Sequence, residues 1–461
     1  MSLDEPRCSL NGGSLRRWLE EAIADSNAAL PPNPAAPTNA KDTAGASVGD
    51  IHNESNSHVR KLVTVRRITT LVAINKTHQV ASIDGWKVVV ERAKGFVEGN
   101  LVVFLEVDSF LPAHTQFDDL FAEVGGLVSF GDHEGYRVGT STWTDWRKSK
   151  ITSQGHIYRL GHFPHIEREL RALRLERSNT HNDGRFADFI RGVDFSDMLG
   201  VKKWDNGPDT TATGTTGADT GPTSNPKIPS FIRKTTIERV QNCPNLFIKP
   251  KYRRQIFQES VKMDGVSTTI YFIPSSSRHF SSLPPLPPAS SHPTNTALQH
   301  AHHPNGRFGV CSRNYNLVPH HPSPPASQTL YWTAALAADL HRTLPARNQA
   351  LAVQAELVGA TVQGNPYGYP PGAHELLVYS VFDIAAQTRW PPREVEAFAR
   401  CAGVRHVPVV GYHTVTSVAG SHGEILARAE GRAGEEGLVW KNCTDGRWFK
   451  VLSGRWILER G

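Results

Sequence analysis

The sequence is poor in cysteine, and no two of its cysteines lie close together. Five cysteines occur in 461 residues, and none falls in a Cys-x-x-Cys spacing; they are Cys8, Cys243, Cys311, Cys401 and Cys443. We therefore expect neither a structural zinc site of that type nor a disulfide framework. A reducing compartment is the simpler interpretation.

Long hydrophobic runs are also absent. No apolar run approaches the roughly 20 residues that are needed to cross a bilayer, and the first ten residues, Met1 to Leu10, lack the hydrophobic stretch of a signal peptide. The sequence therefore predicts neither a membrane span nor secretion. We expect an intracellular protein, cytoplasmic or nuclear. A mitochondrial leader stays open, although acidic residues such as Asp4, Glu20 and Asp25 argue against one.

The charge balance is not strongly one-sided. The 50 Lys and Arg residues exceed the 44 Asp and Glu residues by only 6, and the isoelectric point is ≈ 9.0. Such an excess favours a polyanionic partner such as a nucleic acid. It is too small to identify that partner by itself.

Three stretches have too few apolar residues to form a packed core. They are residues 1–57, rich in Ala, Asn, Ser and Pro, and the segments Asn206 to Pro226 and Pro274 to Asn305. We expect all three to be disordered, because burial could not offset the entropy lost on ordering them. The third segment lies between two β-type runs, Val266 to Ile273 and Arg307 to Cys311. We therefore expect it to be an insertion at the tip of a hairpin.

Two folded modules are predicted around these stretches. Residues 58–165 contain short β-rich runs of the kind that form a small antiparallel barrel, with a two-residue hairpin turn at Asp84-Gly85. A β-sandwich without a binding role stays open as an alternative. Residues 166–227 are predicted to be a linker. Residues 228–461 mix strand-like and helix-like segments, which is typical of an α+β domain built on antiparallel sheets.

The strongest local motif is Lys262-Met263-Asp264-Gly265, which directly precedes a β-type run. A lysine amine is a nucleophile only when it is deprotonated, so a reactive lysine needs burial or neighbouring cations to lower its pKa. Asp264 and Gly265 are typical turn residues and predict a sharp turn after the lysine. Alone the motif is weak, because a surface lysine before an Asp-Gly turn has the same sequence.

The order of the motifs after Lys262 is more specific than any one of them. These motifs are Ser312-Arg313-Asn314, Glu356 to Gly359 with Gln363 to Gly368, Val381 to Ile384, Glu436 to Lys441, and Phe449-Lys450-Val451. The ordered series resembles the covalent nucleotidyltransferase superfamily of ATP-dependent ligases and capping enzymes over about 200 residues.

Within that superfamily the details resemble RNA ligases. Ser267 occupies the place where DNA ligases and capping enzymes typically have Arg. Only 11 residues follow Lys450, so we expect no OB domain after the last motif, and the predicted barrel precedes the catalytic domain instead. This layout is similar to that of Deinococcus-type RNA ligases. The similar segments are Arg60 to Arg66, Asp84 to Val90, Glu106 to Pro112, Ile228 to Lys234 and Glu238 to Asn242.

The resemblance implies a fold of the α+β class. We expect an N-terminal OB-like β-barrel, followed by an antiparallel-sheet nucleotidyltransferase domain of the ATP-grasp-like ligase adenylation type. The disordered insertions and the long tail depart from the family, but they interrupt none of the motifs.

The resemblance also implies a role for each motif residue. Lys262 would attack the α-phosphorus of ATP and become lysyl-AMP. Lys441 and Lys450 would bind the α-phosphate, and their charge would favour a neutral Lys262. Arg313 would contact nucleotide phosphate or sugar, and Phe382 would stack on adenine. Two carboxylates, Glu356 and Glu436, are suited to Mg²⁺ or Mn²⁺ or to ribose hydroxyls, and the sequence does not say which of them binds metal.

RNA is the implied partner. AMP would pass to an RNA 5′-phosphate, and a 3′-hydroxyl would then displace it and seal the break, for example in a nicked duplex. Basic residues of the barrel, including Arg60 and Lys61, are candidates for RNA contact. The aromatic and basic cluster of Trp146, Arg147 and Lys148, with Trp143 and Lys150, is the better one. We expect a monomer without membrane contact.

Alternative functions stay open from the sequence. One is a polynucleotide ligase acting on DNA or mixed duplexes, and another is a GTP-dependent guanylyltransferase; Ser267 and the absence of a trailing OB domain argue against both. A non-catalytic nucleic-acid-binding protein of the same fold is the third. Retention of Lys262, Glu436, Lys441 and Lys450 argues against it, because binding alone does not require a reactive lysine.

Overall fold

The computed structural model describes residues 60–120, 126–176, 190–204, 225–243, 245–319 and 326–460. The predicted disordered tail, 1–57, lies outside the described residues. So does nearly all of the predicted low-complexity segment 206–226, of which Asn225 and Pro226 are described.

The N-terminal module consists of short antiparallel strands around two hydrophobic cores. The sheets run in the orders β1-β5-β11, β2-β3-β4 and β12-β6-β8-β7, and β9 and β10 form a separate hairpin. The elements are β1 (Val63–Arg67), β2 (Thr70–Ala73), β3 (His78–Ile83), β4 (Trp86–Glu91), β5 (Leu101–Leu105), β6 (Ser109–Pro112), β7 (Val128–Phe130), β8 (His133–Arg137), β9 (Thr140–Thr144), β10 (Lys150–Gln154), β11 (His156–Arg159), α1 (Pro164–Glu176) and β12 (Lys202–Lys203).

The hairpin of β3 and β4 shows how the sequence forms this module. Asp84 and Gly85 have φ values of 50° and 85°, and Ile83 pairs with Trp86 across them. A two-residue turn with both φ values positive matches the twist of the flanking strands, so the predicted hairpin is confirmed. Side chains then alternate along β4, and Trp86 and Val88 are buried in the core at 1% exposure each.

The second half of the chain forms two mainly antiparallel sheets with helices on their outer faces. The five-stranded sheet has the order β13-β24-β23-β14-β22, and the seven-stranded sheet has β16-β17-β15-β18-β19-β20 with β21 also paired to β19. The strands are β13 (Glu238–Arg239), β14 (Ile256–Lys262), β15 (Val266–Pro274), β16 (His302–His303), β17 (Gly306–Cys311), β18 (Leu351–Gly359), β19 (His374–Asp383), β20 (Thr388–Arg389), β21 (Arg405–His406), β22 (Val409–Thr414), β23 (Gly437–Asn442) and β24 (Trp448–Leu452).

Helices cover the faces of the two sheets that point away from each other. They are α2 (Asn245–Ile248), α3 (Pro250–Arg253), α4 (Thr296–Ala301), α5 (Ala326–Ala337), α6 (Leu340–Ala346), α7 (Pro392–Cys401), α8 (Val415–Val418), α9 (His422–Glu430) and α10 (Gly454–Arg460). In the five-stranded sheet, Phe257, Leu438 and Phe449 pack with α8 and α9 in one core. Because side chains alternate along a strand, Lys262 of β14 and Lys450 of β24 lie on the opposite face of this sheet.

The two sheets are joined by the turn between β14 and β15. β14 ends at Lys262 in the five-stranded sheet and β15 begins at Val266 in the seven-stranded sheet. Gly265 is required here, because a Cβ at this position would lie 2.5 Å from the carbonyl oxygen of Leu357. The predicted turn after Lys262 is therefore present. The predicted α+β class, with a β-rich N-terminal module before an antiparallel-sheet domain, is confirmed.

The segment from Pro274 to Asn305 differs from its prediction as a disordered insertion. It contains α4, in which Leu298 and Ala301 are buried at 0% and 1% exposure. Ala301 belongs to the same core as residues of the seven-stranded sheet. Asn295 caps the helix by accepting a hydrogen bond from the Leu298 N–H at 2.9 Å. The prediction failed because a few well-placed apolar residues are enough to anchor a segment whose average composition is polar.

Within the described part of the chain, no helix combines the length and the apolar character that a bilayer crossing requires.

The packing of α4 predicts a stability effect. Leu298→Ala should lower the free energy of unfolding by about 2–4 kcal/mol, because it removes a fully buried side chain and leaves a cavity. Thr296→Ala, at an exposed position of the same helix, is the matched control and should change stability by less than about 0.5 kcal/mol. Chemical denaturation measures both, and equal effects of the two substitutions would show that this segment does not pack as described.

Candidate active site

The centre of the candidate site is an ion pair between Lys262 and Glu436. Lys262 Nζ lies 2.5 Å from Glu436 Oε2, and the two side chains are 24% and 18% exposed. The register of the strands brings them together, because Lys262 is opposite Gly437 where β14 pairs with β23. Tyr367 fixes the turn that follows Lys262, since its hydroxyl oxygen accepts a hydrogen bond from the Asp264 N–H at 2.6 Å.

A second carboxylate, that of Glu356, approaches the same lysine from the other sheet. Glu356 lies on β18 opposite Ser267 of β15. The pKa of Glu356 is raised to about 7, chiefly by burial; Lys262 lowers it and Glu436 raises it. Two carboxylates thus act on one amine, and they disfavour each other's ionised form.

These carboxylates reverse one expectation from the sequence. Burial lowers the pKa of Lys262, but attraction to Glu436 and Glu356 outweighs it, so the pKa of Lys262 is raised above its usual value. Lys441 and Lys450 were expected to favour a neutral amine. Lys450 and Lys262 do repel each other, but the opposite charge of Glu436 at 2.5 Å acts more strongly on the amine, so the net shift has the other direction.

Lys450 and Lys441 lie on the same face of the five-stranded sheet as Lys262. Val439 is opposite Ser260 on one side and Lys450 on the other. Burial lowers the pKa of Lys450 to about 7, with Arg239 and Lys262 contributing repulsion. Lys450 and Lys262 thus belong to one electrostatic cluster.

Lys441 lies further along that face. It is four residues beyond Gly437 on β23, which corresponds to about 13 Å along a strand. Its Nζ donates to the Tyr379 carbonyl oxygen at 2.8 Å and lies 5.2 Å from the centroid of the Trp448 ring. Burial lowers the pKa of Lys441 to about 7.

Arg313 borders a cavity on the Glu356 side of the cleft. The cavity has a volume of ≈ 150 Å³ and is lined mostly by polar residues: Lys203, Ile228, Lys234, Thr235, Thr236, Ser267, Thr269, Arg313, Asn314 and Gln354. Ser267 and Gln354 are on the same face of the seven-stranded sheet as Glu356. The charge of Arg313 lowers the pKa of Glu356, so the structure brings Arg313 and the carboxylates into one site.

The structure does not support the prediction that Phe382 stacks on adenine. Phe382 is 0% exposed and belongs to an apolar cluster with Ile232, Tyr271 and Ala352. Phe382 lies on β19 opposite Ala352 of β18, and Ala352 is four residues along β18 from Glu356. The segment that contains Ile232 covers this end of the sheet, so no surface of the Phe382 ring is open to a nucleotide.

Arg239 is a candidate site residue that the sequence prediction did not assign. It pairs with Lys450 in the parallel ladder of β13 and β24 and is 7% exposed. Within the described part of the chain, its Nε and Nη1 atoms have no hydrogen-bond partner. An arginine that is buried with free donors beside a lysine is suited to bind an anion. The only signal in the sequence was the family resemblance of the segment from Glu238 to Asn242.

Arg60 does not belong to the predicted nucleic-acid contact surface, whereas the assignment of Lys61 to it stays a prediction. Arg60 is 11% exposed and pairs with Glu106 at 2.5 Å and with Asp108 at 3.4 Å. Lys61 Nζ donates to the Gly192 carbonyl oxygen at 2.6 Å. Arg60 is thus held inside the protein by neighbouring carboxylates, and the prediction was wrong for it because sequence cannot show which cations are already paired.

The predicted aromatic and basic cluster, Trp146, Arg147 and Lys148, is distant from Lys262 in the sequence and lies on the surface. They form the tip of the hairpin of β9 and β10, and Trp146 is 71% exposed. Their assignment to nucleic-acid binding stays a prediction.

Asn242 joins the N-terminal module to the second half of the chain through a buried polar network. Its side-chain N–H groups donate to Glu106 and Glu238, both at 2.7 Å, and its side-chain oxygen accepts from Arg66 at 2.6 Å. Trp86 of the same module packs under the Arg239 guanidinium at 5.2 Å. The network thus fixes the module next to the residue that neighbours Lys450.

Removing the Asn242 amide should be costly. Asn242→Ala would remove the hydrogen-bond partner of Glu106 Oε2 and of one Arg66 N–H and would weaken the bonding of Glu238. We therefore expect the free energy of unfolding to fall by about 2–4 kcal/mol. The exposed Asn305→Ala is the matched control and should be near neutral. Denaturation midpoints measure the difference. If the two variants unfolded at the same denaturant concentration, the polar network would not stabilise this arrangement.

Two family models match the chain. Residues 62–159 match an OB-fold domain, and residues 255–452 match the RNA ligase family. These ranges lie within the modules predicted at 58–165 and 228–461, whose limits stay predictions. No curated protein sequence matches the chain.

Solved structures of Naegleria gruberi RNA ligase are similar over most of both chains. A variant with ATP and Mn has a TM-score of 0.60 and 23% identity, the protein with PPi has 0.60 and 24%, and another variant with AMP and Mn has 0.61 and 24%. Each match covers 87% of this chain and 99% of the other. At this identity the likeness shows a shared fold.

Fold and sequence models agree on the class, which is an OB-fold module followed by an antiparallel-sheet ligase domain. The chain thus contains a domain that matches the RNA ligase family, at residues 255–452, preceded by a module that matches an OB-fold domain, at residues 62–159.

Proposed function

We propose that this protein is an ATP-dependent RNA ligase that joins RNA 3′-hydroxyl and 5′-phosphate ends through lysyl-AMP and an RNA-adenylate. The observation that carries the proposal is the Lys262–Glu436 pair at 2.5 Å on a sheet face shared with Lys450, within residues that match the RNA ligase family. The choice of ATP is supported by Naegleria gruberi RNA ligase, which has been solved with ATP and with AMP.

In the first step the Lys262 amine attacks the α-phosphorus of ATP. The new bond is a phosphoramidate P–N bond, the bond to the β-phosphate oxygen breaks, and pyrophosphate leaves. Such chemistry depends mainly on positioning and on neutralising the charge that develops on phosphate. Lys450, Lys441 and Arg239 are the cations that we assign to this task, and Arg313 is assigned to nucleotide phosphate or sugar at the rim of the cavity.

The residues present are suited to a divalent cation. Glu356 and Glu436 provide oxygen donors, and their mutual repulsion raises the pKa of Glu356, which is the electrostatic condition that a cation relieves. No group of three or more His, Cys, Asp or Glu side chains in the described ranges is arranged as a metal site. Magnesium keeps several waters and needs only one or two carboxylates, so the two glutamates are sufficient candidates.

The charges also explain how the lysine becomes reactive. In the absence of other ions, the carboxylates keep Lys262 protonated, since they raise its pKa. A Mg²⁺ or Mn²⁺ ion held by these glutamates would neutralise them and so lower the pKa of the amine. The amine would then release its proton to solvent water, since a carboxylate that holds the cation is a poor base.

The second and third steps use the same phosphate site. AMP passes from Lys262 to the RNA 5′-phosphate, which frees the amine and forms a 5′–5′ pyrophosphate linkage. The RNA 3′-hydroxyl then attacks the activated phosphate, a phosphodiester forms and AMP leaves. We propose a nicked duplex as one substrate form, and a monomer as the working state.

Lys262→Ala should abolish self-adenylation. With magnesium and α-phosphate-labelled ATP, we expect acid-sensitive label on the wild-type protein and a loss of at least about 1000-fold in the variant, because no other group supplies the nucleophile. Lys251→Ala, at an exposed lysine, is the matched control and should label normally. Persistent labelling of Lys262→Ala would assign the nucleophile elsewhere. Labelling by GTP instead of ATP would indicate a guanylyltransferase.

The lowered pKa values of Lys450 and Lys441 predict a pH dependence of ATP binding. A lysine whose pKa is about 7 is charged below that pH and neutral above it, so affinity for the triphosphate should fall as pH rises from 6 to 8.5. We expect a drop of about 3–10-fold, equivalent to about 1 kcal/mol. The background should be Lys262→Arg, which keeps the neighbouring cation but cannot react.

Calorimetric titration with ATP measures this effect. Lys450→Met should weaken binding at pH 6 and remove much of the pH dependence, whereas Lys251→Met should do neither. Comparing the two variants cancels the titration of ATP itself. Identical pH profiles for both variants would contradict the assignment of Lys450 to phosphate.

A further inference from the structure

An exposed tryptophan at the tip of the β9–β10 hairpin is the basis of the inference. Trp146 is 71% exposed, and the Arg147 guanidinium lies over its ring at 4.4 Å from the centroid. Lys148 follows directly and is also exposed. We refer to Trp146, Arg147 and Lys148 as the tip platform.

The backbone of the tip platform is held in place by hydrogen bonds. Asp145 Oδ1 accepts from the Arg147 N–H at 2.9 Å and from the Ser149 N–H at 2.7 Å. The Lys148 N–H donates to the Asp145 carbonyl oxygen at 3.0 Å, and Lys148 has a φ of 63°. The Trp146 N–H donates to the Ile74 carbonyl oxygen at 3.2 Å, which ties the tip to the barrel. The indole is therefore presented to solvent by an ordered turn.

The charges around the tip platform favour an anionic partner. Lys150, on the same hairpin, and Lys76, two residues after Ile74, are both exposed. The acidic residue of the turn, Asp145, is occupied by the hydrogen bonds of the turn itself. A flat aromatic surface with cations beside it is what unpaired nucleic-acid bases and their phosphates require. A paired A-form duplex offers no such base faces.

The hairpin leads from this tip to the candidate active site. Thr152 of β10 lies beside Gly454, since a Cβ on that glycine would be 3.6 Å from Thr152 Oγ1. Gly454 follows Ser453, whose N–H donates to the Glu436 carbonyl oxygen at 2.9 Å. β10 begins at Lys150, so Thr152 lies two residues, or about 7 Å, along the strand from its start at the turn. A strand of RNA lying along the hairpin would therefore pass from the tip platform toward the lysine centre.

We propose that the tip platform binds an unpaired segment of the RNA substrate, with a base stacked on Trp146 and backbone phosphates paired with Arg147 and Lys148. The statement that this strand is RNA rests on the proposed ligase function. It would hold the RNA strand while its end is sealed.

The test measures equilibrium binding of a fluorescently labelled single-stranded 12-nucleotide RNA to the full chain by anisotropy, without ATP. Trp146→Ala should weaken binding about ten-fold, because loss of one stacked base costs about 1–3 kcal/mol. Trp146→Phe should restore most of it, since Phe also offers a flat face. Arg147→Glu should weaken binding and reduce the salt dependence by about one counterion. Thermal unfolding verifies that each variant is folded.

A matched charge control is available on the same module. Arg171, on α1, is 75% exposed, and Arg171→Glu should leave RNA binding unchanged. Equal losses in Arg171→Glu and Arg147→Glu would show a general charge effect and overturn the proposal. Unchanged binding by folded Trp146→Ala, or a blunt RNA duplex that competes as well as the single strand, would also overturn it.

Labelling of the wild-type protein by ATP, measured separately, decides the proposed function. If label forms but Trp146→Ala binds RNA normally, the tip platform is wrong and the ligase function stands. If no label forms but Trp146→Ala loses RNA binding, the platform stands and the ligase function is wrong.

Discussion

The interaction on which the site depends is the attraction between one lysine and two carboxylates from different sheets. Lys262 ends a strand of one sheet, and Glu356 lies in the interior of the other. Their separation in sequence means that only the packing of both sheets around the Gly265 turn creates the site. The remaining cations, Lys450 and Arg239, are then held close to Lys262 at a cost in repulsion. An anion bound beside these cations would relieve their repulsion, which is the property we expect of a nucleotide-binding site.

The OB-fold module contributes to this cluster through the buried network at Asn242. Glu106 and Trp86 of the module contact Asn242 and Arg239, and Arg239 is paired with Lys450. The module thus contacts the residue that pairs with Lys450, while its β9–β10 hairpin extends to the surface. Because the strands of the module connect the network at Asn242 to the β9–β10 hairpin, the module fixes these two positions relative to each other.

The sequence was sufficient for what is local or ordered along the chain. The Asp84-Gly85 hairpin and the turn after Lys262 follow from residues that favour those conformations, and the order of motifs indicated the family that the models match. Pairing across the chain was not predictable. Arg60 resembles a surface cation, but Glu106, 46 residues away, holds it inside the protein. Phe382 resembles a stacking residue, but Ile232 covers it. Arg239 was missed because its importance arises from its parallel pairing with Lys450.

The direction of the Lys262 pKa has a consequence for the order of events. A cation-only site would keep the amine neutral and reactive at all times, so other electrophiles could also modify it. Here the carboxylates hold the amine protonated and paired. In the mechanism we propose, the lysine would become a nucleophile once positive charge reaches the glutamates, and a divalent cation arriving with ATP would supply that charge. Restraint of the lysine and its activation would then depend on the same two glutamates, which would be a physical reason for placing carboxylates beside a nucleophilic amine.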